Sequence, residues 1–109
     1  MVTHDPQVFS AIADPTRRAI LDALREGERA AGDIADLFTT SRPAVSRHLR
    51  VLREAGLVVE RRSAQSRLYS LHATPLRDVD RWLDGYRVFW ASRLQQLKRV
   101  AEQAHRPRP

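Results

Sequence analysis

One stretch, Ser41-Arg42-Pro43-Ala44-Val45-Ser46-Arg47-His48-Leu49-Arg50-Val51-Leu52-Arg53-Glu54-Ala55-Gly56, constrains the fold more than any other. Ser41 can cap a helix, Pro43 is tolerated in the first turn where its missing N–H costs little, and Gly56 supplies a left-handed stop. The spacing predicts a helix over about residues 41–55. Val45, Leu49, Leu52 and Ala55 recur at intervals of three and four, so one stripe faces a core. The opposite side carries Pro43, Ser46, Arg47 and Arg50, with Arg42 and Arg53 on the flanks. Small polar residues and arginines on the N-terminal half of a helix suit the major groove of B-DNA, where Arg reads guanine bidentately and Ser reaches phosphates or base edges. Taken alone, the stretch fits a solvated helix face equally well.

Its neighbours separate these readings. Val8, Phe9 and Ile12 lie on one face of a short helix over residues 5–13. Asp14 then caps a second helix that starts at Pro15 and runs to about Arg25, with Ala19, Ile20, Ala23 and Leu24 inward. Arg17 and Arg18 sit in its first turn, against the helix dipole. Either an anionic partner such as DNA compensates that placement, or Asp14 and Asp22 do. A third helix, about residues 31–38, buries Ile34, Ala35, Leu37 and Phe38 and has a weak cap. Thr39-Thr40 links it to the Ser41 helix, forming a helix-turn-helix with the second member as recognition helix.

After Gly56 the period changes. Leu57-Val58-Val59-Glu60-Arg61 and Arg67-Leu68-Tyr69-Ser70-Leu71-His72 are strand-like and joined by a polar link, a hairpin over about residues 57–72. A recognition helix followed by a basic hairpin is a winged helix-turn-helix, with Arg61, Arg62 and Arg67 supplying charge at the wing for minor groove or phosphate. The competing reading is an edge hairpin kept soluble by charge. The charge distribution favours DNA. Residues 1–40 carry four Arg against seven Asp or Glu, whereas residues 41–67 carry seven Arg against two Glu. A basic surface beside an acidic one is the footprint of a phosphate-backbone binder.

Residues 74 to about 103 read as one long helix, capped by Thr74 with Pro75 in its first position. Leu76, Val79, Leu83, Tyr86, Trp90 and Leu94 advance by three or four residues, and Trp82 and Phe89 widen the stripe. At 1.5 Å per residue such a helix extends roughly 40 Å, further than so small a domain covers by itself. Large aromatics on an exposed helical seam mark an interface core, so this is read as a dimerisation helix with Phe9 beside it. A ligand pocket among Trp82, Tyr86 and Trp90 is the alternative. Residues 1–104 form a single domain on this reading, followed by a disordered basic tail, 105–109.

Together, Ala13-Asp14-Pro15-Thr16-Arg17-Arg18-Ala19-Ile20-Leu21, the Ser41 to Leu52 run, Glu54-Ala55-Gly56-Leu57-Val58 and Tyr69-Ser70-Leu71 resemble the ArsR/SmtB family of bacterial repressors. The C-terminal run through Trp82-Leu83, Phe89-Trp90 and Arg93-Leu94 is similar to its metal-independent branch of SdpR-type autorepressors. The resemblance implies a mainly α fold with a β-hairpin wing, ordered α-α-α-α-β-β-α, and a cytoplasmic homodimer on an inverted-repeat operator in double-stranded DNA. Metal-sensing relatives use cysteines in the third helix; this chain has none. A second family site resembles Asp-x-His with a distant His and Glu. The matching stretch here is Asp78-Val79-Asp80, with no histidine until His105. His4, His48 and His72 lack ligand spacing, and His48 reads as a packing or phosphate-facing residue. No metal and no cofactor are expected. Relatives commonly place Gly in the wing, where this chain has Ala64-Gln65-Ser66.

The expected function is a DNA-binding transcriptional repressor or autorepressor. A winged-helix module that binds protein and not DNA, or a repressor responding to a small molecule, are the alternatives, and no effector is legible. No nucleophile-base constellation or glycine-rich phosphate loop points to an enzyme. No basic leader and no stretch of about twenty apolar residues points to a membrane.

Overall fold

The computed structural model describes residues 4–104, so the expected tail at 105–109 lies outside the described residues. In chain order the elements are α1 (Pro6–Ile12), α2 (Pro15–Leu24), β1 (Arg29–Ala30), α3 (Ala31–Ala35), α4 (Arg42–Glu54), β2 (Val58–Ser63), β3 (Ser66–Leu71) and α5 (Leu76–Ala104). The described residues divide between Val79 and Asp80 into two compact units.

In the first unit the helix starts are fixed by local chemistry. The Asp5 carboxylate accepts from Gln7 N–H at 2.9 Å, Asp14 from Arg17 N–H at 3.0 Å, and the Ser41 hydroxyl from Ala44 N–H at 3.2 Å. Each occupies an otherwise orphaned donor, and a proline follows within two residues. Gly56, at φ 78°, takes the left-handed conformation that ends α4.

The core joins Val8 and Ala11 of α1, Ile20, Leu21 and Leu24 of α2, Ile34 of α3, Val45, Leu49 and Leu52 of α4, and Leu57, Val58 and Tyr69 around the hairpin. In α2, Leu21 is buried alongside the expected Ile20 and Leu24, while the expected inward residues Ala19 and Ala23 are half-buried. Leu37 is a correction: it is 49% exposed, not buried. The third helix ends at Ala35 with Asp36 as C-cap, so the chain leaves helical period before Leu37, and Phe38 packs against the core instead.

The hairpin gains a third strand. β1 pairs antiparallel with β3, Arg29 opposite Tyr69 and Ala30 opposite Leu68, giving the order β1-β3-β2. The link across the wing tip shrinks to Ala64-Gln65, because Ser63 pairs with Ser66. Ala64 has φ 55° and Gln65 does not have positive φ, the φ pattern of a two-residue type II′ loop with alanine where glycine is usual.

Helix α5 starts at Leu76, one residue after Pro75, through a tight turn in which Arg77 N–H donates to the Thr74 carbonyl at 3.0 Å. Leu76 and Val79 pack against the core of the first unit. The Asp78 carboxylate holds the residues just before α1, with Oδ1 at 3.1 Å from His4 Nδ1 and Oδ2 accepting from Asp5 N–H. Among the described residues no helix is long and apolar enough to cross a membrane.

Candidate nucleic-acid interface

Helix α4 is amphipathic as its sequence requires: Val45, Leu49 and Leu52 are buried, and Ser41, Arg42, Pro43, Ser46, Arg47 and Arg50 are exposed. Beside it lies a groove of about 310 Å³ whose walls include Ser46, Arg47, Arg50 and Arg53 of α4 and Arg67 and Tyr69 of β3. The groove thus collects three of the predicted α4 residues and one wing arginine. Arg42 lies at its own end of the helix, with Nη2 3.7 Å from Asp36.

The pleat sorts the wing arginines. Val58 pairs with Leu71, Glu60 with Tyr69 and Arg62 with Arg67, and since side chains alternate across a strand these pairs share one face. Glu60 on that face meets Arg53 of α4, so Arg62 and Arg67 lie on the recognition-helix side. Arg61 belongs to the other face. Its Nε and Nη2 donate to the two Glu28 oxygens at 2.8 and 2.7 Å. Those bonds hold the Glu28 carboxyl below its ordinary pKa and raise that of Arg61.

Sequence reasoning missed Glu60. Its Oε2 accepts from Arg53 Nη1 at 2.6 Å and from the Tyr69 hydroxyl at 3.2 Å, and Arg67 Nε lies 3.8 Å from Oε1. Burial works against its charge, but the Tyr69 and Arg53 hydrogen bonds and the charges of Arg53 and Arg67 outweigh it, so its pKa is lowered. The Tyr69 phenol is pushed up, by its own burial and by the adjacent carboxylate. The available signal was the period of two that sets Glu60 in line with buried Val58.

Arg17, the predicted contact outside α4 and the wing, is occupied within the chain. Its Nε and Nη2 donate to the Ala11 and Ser10 carbonyls at 2.6 and 3.0 Å, and Arg18 Nη1 donates to the Ile12 carbonyl at 2.8 Å. Two cations therefore close the C-terminal end of α1, where carbonyls lack partners and the dipole favours positive charge. Arg17 Nη1 also lies 3.2 Å from His48 Nδ1. A guanidinium only donates, so Nδ1 accepts and the ring proton sits on Nε2. Asp14, 3.9 Å from the same nitrogen, then has no hydrogen bond from it. His48 is half-buried beside Arg17 and Asp14.

In the second unit, Trp82 and Tyr86 stack edge to face at 5.1 Å, Tyr86 and Trp90 lie 6.4 Å apart, and Arg93 sits 4.9 Å over Phe89. Trp82, Tyr86, Phe89, Trp90 and Leu94 are exposed, continued by Leu97 and Val100, while Leu83 is half-buried. Of the other predicted interface residues, Leu76 and Val79 have core contacts and Phe9, half-buried, meets the His4 ring at 5.6 Å. Among the described residues no group of three or more His, Asp or Glu is arranged to hold a metal ion.

The profile of bacterial regulatory proteins of the arsR family matches residues 14–59, from the α2 cap into β2. The transcriptional repressor SdpR of Bacillus subtilis is 47% identical over 76 residues, covering 70% of this chain and 84% of that protein. The crystal structure of an ArsR family transcriptional regulator, RHA00566, superposes with a TM-score of 0.72 at 28% identity, covering 84% of this chain and 98% of that one. A homodimeric winged helix-turn-helix DNA-binding domain from Mycobacterium bovis, Mb0332, superposes with a TM-score of 0.58 at 31% identity, covering 83% and 81%.

Proposed function

Because the chain belongs to the arsR family of bacterial regulatory proteins, transcriptional regulators with a DNA-binding helix-turn-helix, we propose that its α4 groove and wing grip operator DNA as a homodimer and repress transcription there. The observation that carries this reading is the groove itself: Ser46, Arg47, Arg50 and Arg67 converge on one surface beside a helix of major-groove dimensions. Ser41, Arg42 and Pro43 open the helix that enters the groove, Arg47 and Arg50 reach base edges, and Arg62 and Arg67 take phosphates. Arg17 and Arg61 serve the same surface from behind, one by joining α1 to α4 and the other by fixing the wing to Glu28. Residues 1–104 act as one functional unit, and Trp82, Tyr86, Phe89, Trp90 and Leu94 meet their copies in the partner subunit.

The regulator works in the cytoplasm and needs no metal. Without cysteine it lacks thiolates, and Asp78, at the position matching the family's C-terminal-helix site, already serves His4 and the Asp5 N–H. The test is selection of bound sequences from random duplex with metal-free protein, followed by salt titration. An imperfect palindrome with half-sites about one helical turn apart is expected. Arg47→Ala should weaken binding unevenly across operator variants. Arg62→Ala should weaken it uniformly and lower the salt slope by about one. Unchanged affinity in both variants would sink the proposed surface.

A further inference from the structure

We infer that Glu60 is an internal rival for DNA phosphate: it withholds Arg53 and Arg67 from duplex of arbitrary sequence and so sets the ratio of specific to non-specific binding. The inference rests on the groove being the DNA face. Four arginines line that groove, and each is a potential contact with any phosphate. Glu60 stands among them with both carboxylate oxygens facing guanidinium, Oε2 at 2.6 Å from Arg53 and Oε1 at 3.8 Å from Arg67. A carboxylate presents to guanidinium the same fork of anionic oxygens that a phosphate does. The side chain of Glu60 is 17% exposed, whereas those of Arg53 and Arg67 are 46% and 54% exposed. The acid is held in place while the arginines keep free edges toward solvent, and the Tyr69 hydroxyl fixes the carboxylate from behind. A purely structural position in line with Val58 would be served by an apolar residue, since burying a carboxylate carries a desolvation cost. Phosphates of random duplex must outbid this pairing, whereas an operator already aligned by base contacts brings its phosphates to the arginines at close range.

The test compares wild type and Glu60→Gln on a short random-sequence duplex and on a duplex obtained by selection. Glu60→Gln should bind the random duplex about tenfold tighter, with a salt slope steeper by about one for one added phosphate contact. Its preference for the selected duplex should fall by a similar factor. In the background Arg53→Gln, Arg67→Gln the substitution should have no effect. An unchanged affinity and slope, a weaker binding, or an equal gain in the double-substituted background would overturn the inference, the last by assigning the gain to overall charge. Should Glu60→Gln lose its cooperative thermal transition, the wild type decides. Side-chain nitrogen NMR signals of Arg53 and Arg67 shift on titration with random duplex if they exchange carboxylate for phosphate, and unmoved signals overturn it. A wild type that binds neither duplex refutes the DNA face itself and the inference with it, a result distinct from wild-type binding that Glu60→Gln leaves unaltered.

Discussion

Asp14 caps α2 through the Arg17 amide, and that hydrogen bond, with smaller help from the Arg17 charge, outweighs burial and lowers its carboxyl pKa. A carboxyl titrating lower in the folded state than in the unfolded chain adds stability that is full above the unfolded value. That stability is lost as pH falls through the folded value. Asp14→Asn keeps a capping acceptor but no charge, so its unfolding free energy should fall less than that of wild type below about pH 5. Denaturant unfolding at a series of acidic pH values measures this, and parallel curves would refute it. The caps of α2 and α4 were readable because their chemistry is local: Asp14 and Ser41 each act within three residues. The partners of Arg17 and Arg18 were not. Their choice between an anion and Asp14 or Asp22 is resolved by carbonyls six and seven residues upstream, brought within reach only by the reversal between α1 and α2.

The limits of α4 follow from its cap, its proline and its glycine stop, and the groove residues Ser46, Arg47 and Arg50 could be named from one helical face. One element, β1, escaped notice and another, the third helix expected over residues 31–38, was drawn too long, for one reason: both depend on partners more than on a period of their own. β1 is two residues long and exists because β3 offers it an edge, and α3, uncapped at its start, ends five residues on. The wing arginines divide by pleat parity, which required the register with β3 before Arg61 could be told from Arg62. Ala64 at positive φ stores strain of about 1–2 kcal/mol, part of which glycine's greater loss of freedom on folding would return. Ala64→Gly should therefore stabilise the fold by up to about 1 kcal/mol, a rise of a few degrees in thermal midpoint. A scanning calorimetry midpoint that falls would show that the loop is unstrained.

Over the whole molecule, the period of the last helix was plain in the sequence, and its apolar side stays exposed in the single chain. Single chains leave Trp90 49% exposed beside Tyr86, Phe89 and Leu94, a continuous apolar stripe of the kind soluble monomers avoid. Trp90→Glu should give a monomer in sedimentation velocity, with the circular dichroism of a folded chain and operator binding reduced to that of one half-site. A dimer that survives Trp90→Glu would put the seam elsewhere. A seam completed only by a second chain, as proposed above, would tie regulation to dosage. While chains are scarce, the assembled form follows the square of their number, so halving synthesis cuts it about fourfold. Such a switch would loosen steeply on dilution at cell division and tighten steeply as the gene is read.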